Sequence, residues 1–201
     1  MMNGTAQQSS TVRGLYPQRE EMRTIPRPSH MQPSLVRRAP TEEELGRIVS
    51  FDALSEQGKS HLAAIMAYEN EGVVIRFAED QEFSIETARQ IFHGLKQYLA
   101  VCVFSGGKRT PAKIVDECWE TFLLHSRDYA EFCEQYTRGF VHHEPAIDDS
   151  GFSFYPRTRQ CVIALFGHID EDVWPSEHKV YVRCVSTKTS EPSRFDDFLI
   201  K

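Results

Sequence analysis

The sequence contains no long hydrophobic run. Its longest apolar stretch lies around Leu99–Phe104, whereas a helix that spans a bilayer needs about 20 consecutive apolar residues. The first ten residues are polar and lack the apolar segment of a secretory signal. We therefore expect a cytoplasmic protein that does not enter the membrane.

Cysteines spaced as in a redox or zinc site are absent too. None of the five cysteines forms a Cys-x-x-Cys pair, and their number is odd. This usage is typical of a reduced protein without a disulfide framework. The sequence also lacks an internal repeat, a His-Glu-x-x-His motif and the spacing of a phosphate-binding P-loop. No strong motif therefore assigns a function.

Charge is distributed unevenly along the chain. Residues 1–40 carry six arginines, two glutamates and five prolines, a net charge of +4, which leaves −10 for residues 41–201. Apolar residues in this first segment are few and lack a regular period, so we expect a basic, disordered arm. Its arginines could contact an anionic partner such as a nucleic acid: Arg13, Arg19, Arg23, Arg27, Arg37 and Arg38.

Residues 41–178 have the pattern of a helical domain, beginning with a capping box at Thr41-Glu42-Glu43-Glu44. A short helix should follow, with Leu45, Ile48 and Val49 on one face. We expect a second helix from about Ser55 to Asn70, ended by Gly72.

The clearest helix begins after Ser84 and carries apolar residues at three- and four-residue spacing as far as Cys102. Further helices are predicted after caps at Thr110 and Ser126, and one over about 156–166. Residues 84–167 should thus form a bundle around a shared core that contains Ile91, Leu95, Trp119, Phe122 and Phe132.

Two segments have strand-like patterns. Val73–Phe77 is a β-branched run that predicts either a short strand or an extended link. In residues 179–201, which we interpret as an extension and tail, Val180, Val182 and Cys184 alternate with other residues as in a strand. The predicted fold is therefore mainly α, a compact helical bundle with a small two-stranded β element and a disordered N-terminal arm.

Several short motifs follow one another in a recognisable order. After a long helix ending in a small-residue turn, they are Thr110-Pro111, Val115-Asp116-Glu117-Cys118-Trp119, Tyr129-Ala130-Glu131-Phe132-Cys133, His142-His143-Glu144-Pro145, a helix with Tyr155 and Thr158 that ends in Phe166-Gly167, and Val173-Trp174-Pro175. This order, over about residues 77–175, resembles the bacterial glycine-rich domain-containing protein-like family, which is related to plant glycine-rich-domain proteins. The resemblance implies a fold and no assigned activity. In that family the tryptophan is typically followed by histidine, whereas Glu120 stands there in this sequence.

One polar cluster is a candidate site. Asp116 and Glu120 are four residues apart and so share one face of a helix, and Cys133, His142 and His143 could converge on that face. Carboxylate, thiolate and imidazole groups are competent ligands for a divalent metal. A Cys133 nucleophile with a histidine base is chemically conceivable as well.

A purely structural interpretation of the same residues stands beside these. The two carboxylates would be solvated or paired with Lys113 or Arg127, Cys133 would lie in the core, and the histidines would fix a loop by hydrogen bonds. We favour it because the spacing matches no strong metal motif.

The functional prediction is a non-enzymatic protein-binding or regulatory protein, with no cofactor and with a protein as its partner. The first alternative is a metal-dependent enzyme using the carboxylate and histidine cluster. The second is a nucleic-acid-associated protein that binds through the basic arm alone. The sequence does not address its oligomeric state.

Overall fold

The computed structural model describes residues 39–145, 154–176, 184–188 and 196–200. Within these ranges the chain is mainly helical, with seven α-helices and a two-stranded sheet. No helix in them is both long and apolar enough to cross a membrane. The predicted disordered arm, with all six of its arginines, lies outside the described residues except for Ala39 and Pro40.

The elements follow one another in a simple order. The helices are α1 (Glu42–Leu45), α2 (Glu56–Ala67), α3 (Glu71–Gln81), α4 (Ile85–Ser105), α5 (Lys113–Leu124), α6 (Ser126–Phe132) and α7 (Tyr155–Phe166). A π-helical turn over Cys133–Thr137 continues α6, and short 3₁₀ turns cover Phe51–Ala53 and Asp196–Phe198. Strand β1 (Val141–Pro145) pairs antiparallel with β2 (Cys184–Lys188).

Helix α4 is the centre of the bundle and contacts α2, α3, α5 and α7. It is long and apolar enough to be buried on most of its circumference, as expected for a central helix. The five predicted core residues are each no more than 4% exposed. The predicted helical bundle is therefore confirmed, although β1 interrupts its helices between α6 and α7.

Two of the four predicted helix caps are confirmed. The Thr41 hydroxyl accepts from the Glu44 N–H at 3.2 Å while Glu44 Oε2 accepts from the Thr41 N–H at 3.0 Å, and the Ser84 hydroxyl accepts from Thr87 N–H. Thr110 is not a cap: it is buried, its N–H donates to the Thr158 hydroxyl at 3.2 Å, and α5 begins only at Lys113.

Ser126 is not a capping residue either. It is the first residue of α6, the capping position belongs to His125, and no side chain there bonds the free N–H groups. The close succession of α5 and α6 leaves no room for a separate cap, because His125 ends one helix and precedes the next.

The first helix is shorter than predicted. It ends at Leu45 because Gly46 has a φ of +57°, a conformation that favours glycine. The chain there passes so close to the end of α4 that a Cβ on Gly46 would lie 2.6 Å from the Gly106 carbonyl oxygen. Val49 is buried as expected, but Ile48 is exposed.

The interpretation of Val73–Phe77 as a strand or link is wrong, because these residues lie in α3. The side chain of Asn70 caps that helix by accepting from the Val73 N–H at 3.0 Å, so α2 ends at Ala67 and Gly72 belongs to α3. Local β propensity is a weak preference that capping and burial on one helix face overcome.

The two-stranded element exists, but its strands are not the two segments with strand-like patterns, because Val73–Phe77 is helical. The tail strand pairs instead with Val141–Pro145, for which no strand was predicted. The described strand, Cys184–Lys188, overlaps the end of the predicted one, and the rest of that prediction falls on residues 177–183, outside the described ranges. Two histidines, a glutamate and a proline gave β1 little strand pattern of its own.

A buried arginine joins the ends of two helices. Arg109 is fully buried, and its Nη1 donates to the Leu45 and Lys108 carbonyls at 2.6 and 2.9 Å. Its Nη2 donates to the Ser105 carbonyl at 3.4 Å. Ser105 is the last residue of α4, where the helix dipole is negative, so the guanidinium stabilises this helix end.

The main chain of Arg109 also fixes the sheet. Its carbonyl oxygen accepts from the Ser186 N–H of β2 at 2.7 Å and from the Tyr98 hydroxyl at 3.2 Å. Because β1 is paired with β2, the contact between Arg109 and β2 also helps to position β1.

Replacing Arg109 with methionine should lower the free energy of unfolding by about 3–5 kcal/mol, because buried carbonyls lose their donors. Urea denaturation followed by circular dichroism measures this. Arg76→Met is the matched control, since its exposed ion pair with Asp80 should contribute no more than about 0.5 kcal/mol. Equal stability of the two variants would contradict the role given to Arg109.

Candidate functional site

The candidate site lies between α5 and β1. Helix α5 contributes Asp116, which is buried, and Glu120, which is half-exposed one turn later. Strand β1 contributes His143, which pairs in register with Ser186 of β2. Three side chains therefore meet where a helix face and a strand face each other.

The His143 imidazole bridges the two carboxylates. Its Nε2 lies 2.9 Å from Asp116 Oδ1 and 3.9 Å from Glu120 Oε1. The imidazole of His143 packs edge-to-face against the ring of Trp119, with the two ring centroids 4.8 Å apart and the two planes at 65°. Trp119 is fully buried, as predicted, so one wall of the site is apolar while Glu120 opens it to solvent.

Electrostatics favour the charged imidazolium at this position. Burial acts to lower the pKa of His143, but the hydrogen bond and charge of Asp116, with the charge of Glu120, outweigh it and raise the pKa above its ordinary value. A protonated His143 between the two carboxylates relieves the repulsion between them.

The structure brings together three of the five residues predicted for this site. Asp116, Glu120 and His143 each offer a ligand atom, and these atoms lie within 4.8 Å of one another. His142 is the neighbour of His143 on a strand, so it faces the other side, where its ring contacts Phe140 at 4.9 Å. It is not one of the three described residues whose ligand atoms lie close together.

Cys133 is also absent from that group of three. It is buried at the start of the π-helical turn, and its carbonyl accepts from the Thr137 hydroxyl at 2.9 Å. This is the core position that the structural interpretation gave it. The same interpretation left the cluster carboxylates solvated, or paired with Lys113 or Arg127. Lys113 pairs instead with Glu117 at 3.4 Å.

The arrangement can hold either a proton or a divalent cation. As a hydrogen-bonded pair, Asp116 and His143 need only their mutual contact. As metal ligands, all three atoms would have to approach a common point at roughly 2.0–2.2 Å. The 2.9 Å separation satisfies the first case directly, whereas the second requires the proton on Nε2 to leave.

Sequence reasoning missed a second feature, an apolar groove between the Phe51–Ala53 turn, α2 and α7. This groove has a volume of about 580 Å³. Its lining is mostly apolar: Ser50, Phe51, Asp52, Lys59, Leu62, Ala63, Met66, Ala164, Leu165, Phe166 and Gly167. The signal was weak, because Phe51 stands alone between two polar residues.

Sequence reasoning also missed a buried lysine next to this region. Lys96 interrupts the apolar pattern of α4, and its ammonium donates to the Met66 and Tyr68 carbonyls at 2.6 and 2.9 Å. Burial lowers the pKa of Lys96, partly opposed by Glu69. The lysine thereby satisfies carbonyls at the end of α2, which is a structural role.

Fold and site together define a mainly helical protein with a carboxylate–histidine cluster at a helix–strand contact. A family model described as UCP032817-like matches residues 63–148, less than half of the chain. That range runs from α2 past β1 and includes the whole cluster. No curated protein and no solved structure matches the chain significantly. The resemblance to glycine-rich-domain proteins therefore stays a prediction.

Stability should depend on pH through His143. A pKa above the unfolded value of about 6.5 means that its contribution is complete below that pH and disappears as the pH rises through the folded pKa. Urea denaturation between pH 6 and 9 should therefore show His143→Gln costing about 1–2 kcal/mol near pH 6 and progressively less at higher pH.

The control for this measurement is His142→Gln, which removes the imidazole on the other side of the same strand. Its effect on stability should not follow that pH dependence. A cost of His143→Gln that grows with pH would show that the neutral imidazole, rather than the imidazolium, is the form held by Asp116.

Proposed function

We propose that this is a non-enzymatic protein-binding or regulatory protein whose acidic helical body docks a partner protein. The apolar groove is the observation that carries this proposal. Phe51 is 44% exposed on its wall, and exposed apolar surface with a polar rim is typical of an interaction site.

The groove suits the apolar face of a partner helix. Leu62 and Met66 come from α2 and Leu165 from α7, so two helices supply a continuous apolar floor. Asp52 and Lys59 stand on its rim, and Lys59 lies over the Phe51 ring at 5.6 Å. Helix-in-groove recognition uses such a floor for spaced apolar anchors.

The negative charge of the helical body favours a partner helix whose polar face is basic. Residues 41–201 carry −10, so a basic partner is attracted over a long range and an acidic one is repelled. The occupant we propose is an amphipathic helix of another protein, with an apolar face and a basic face.

Ala63→Glu tests this proposal. Ala63 is exposed and lines the groove, so glutamate there should preserve the fold while placing a charge on the apolar floor. A protein captured from the native host by the wild-type chain, once purified, should bind Ala63→Glu about tenfold more weakly in calorimetry, a loss of about 1.4 kcal/mol.

The matched control is Leu124→Glu, which changes an apolar residue that is 78% exposed at the end of α5. It should bind the partner as the wild type does. Equal affinities of wild type, Ala63→Glu and Leu124→Glu would remove the groove from the proposal.

A metal-dependent enzyme is the second candidate, and the convergence of Asp116, Glu120 and His143 favours it. Carboxylate and imidazole ligands suit zinc or manganese. Titration with Zn²⁺ or Mn²⁺ should give no stoichiometric binding if our preferred proposal holds. An ion bound by wild type and His142→Gln but lost in Glu120→Ala would favour the enzyme instead.

A further inference from the structure

Residues 196–200 lie against residues 53–58 as a bound peptide would. Ser55 N–H donates to the Phe198 carbonyl at 2.9 Å, and Ile200 N–H donates to the Ala53 carbonyl at 3.0 Å. Leu54 and Leu199 form the antiparallel pair between them. This pair is a single bridge: Leu54 follows the 3₁₀ turn Phe51–Ala53, and Leu199 follows the 3₁₀ turn Asp196–Phe198. Main-chain pairing of this kind is one way in which a peptide adds to a protein edge.

Phe198 is the anchor of this segment. Its ring is buried between the stacked imidazole of His61, at 4.8 Å, and the ring of Phe104, at 5.2 Å. The Arg138 guanidinium lies 4.1 Å from its centroid. An aromatic ring is thus enclosed by two rings and a cation, an arrangement that favours an aromatic side chain over an aliphatic one.

The walls of this pocket are held by the body rather than by the tail. His61 Nε2 donates to the Tyr136 carbonyl at 2.7 Å, which fixes the stacking imidazole. Arg138 follows the π-helical turn in a left-handed conformation, φ +52°, which presents its side chain toward the pocket. Turns of this kind are frequent at functional sites.

The edge is shaped for a peptide backbone. A Cβ on Gly58 would lie 2.5 Å from the Phe198 carbonyl oxygen, so only glycine allows the segment to approach α2 this closely. Asp197, just before the anchor, pairs with Arg138 at 3.2 Å. The site therefore contacts an acidic residue and an aromatic residue of a 3₁₀ turn, and then the main chain that follows the turn.

The tail is held at this edge by few side chains. Of Asp197–Ile200, Phe198 alone is buried, Leu199 is partly buried, and Ile200 is 62% exposed. Among the described residues 197–200, one buried ring, one exposed ion pair and two main-chain hydrogen bonds hold the segment, and another peptide of the same chemistry can make the same contacts.

We propose that this edge is a peptide-binding site, the tail site, formed by residues 53–58, His61, Phe104 and Arg138. Its ligand is a segment of a partner protein with Asp, Phe and aliphatic residues in succession, which makes a short turn at the aspartate and phenylalanine and pairs through its main chain after them. The chain's own Asp197–Ile200 occupies the tail site and blocks it, so the partner binds when the tail leaves. The proposal is independent of the apolar groove, which binds a helix.

Full-length Phe198→Ala protein tests the proposal, because it loses the anchor while keeping the site. A fluorescent peptide with the sequence of residues 195–201 should bind this variant about tenfold more tightly than wild type, since the wild-type tail reduces the fraction of open sites. Changing the phenylalanine of the peptide that corresponds to Phe198 to alanine should abolish binding.

Two controls locate the peptide. Phe83→Ala changes an exposed phenylalanine elsewhere and should bind as the wild type does. Adding Gly58→Ala to Phe198→Ala should abolish binding, because the new methyl group occupies the path of the peptide backbone.

Asp197→Ala should weaken the binding of the chain's own segment to the tail site less than Phe198→Ala does, since it removes only an exposed carboxylate. It should also bind the peptide more tightly than wild type, and it replaces Phe198→Ala if that variant does not fold. Failure of every folded variant to bind the peptide better than wild type would overturn the proposal and make the tail a fixed part of the fold.

Discussion

The buried guanidinium of Arg109 is the constraint on which the rest of the arrangement depends. A charge without solvent must be surrounded by oxygen atoms, and here they come from the carbonyls at the ends of α1 and α4. The backbone of the same residue receives the Ser186 N–H, and Ser186 stands opposite His143 in the sheet. Arg109 thus helps to position the candidate cluster through β2, without a contact of its own to Asp116, Glu120 or His143 among the described hydrogen bonds.

That cluster shows how one imidazole satisfies two competing demands. Asp116 is buried and requires a positively charged or hydrogen-bonding neighbour, while Glu120 keeps the site in contact with water. A histidine meets both, because it can donate to the buried carboxylate and still exchange its proton. The protein-binding surfaces that we propose lie elsewhere, on α2 and its neighbours.

The parts of the fold that the sequence predicted are those set by local chemistry. The capping box at Thr41 and the apolar spacing of α4 depend on residues only a few positions apart, and both are as expected. The roles of Thr110 and Val73–Phe77 were mispredicted because contacts with distant residues determine their conformation. The Thr110 N–H donates to the Thr158 hydroxyl, and Val73 is buried against neighbouring helices as part of α3.

The site was predicted in part for the same reason. Four-residue spacing places Asp116 and Glu120 together on any helix, but the choice between His142 and His143 depends on which side of a strand faces α5. That side is set by the pairing of β1 with a segment more than forty residues later. Nothing near either histidine in the sequence contains this information.

This long-range pairing has a consequence for synthesis on the ribosome. Helix α5 and its carboxylates are synthesised well before Cys184–Lys188, the described partner of the strand that presents His143. Because domains form as their segments become available, the two acids lack a fixed histidine neighbour until β2 has been made. Completion of the cluster is therefore a late event in the life of a nascent chain.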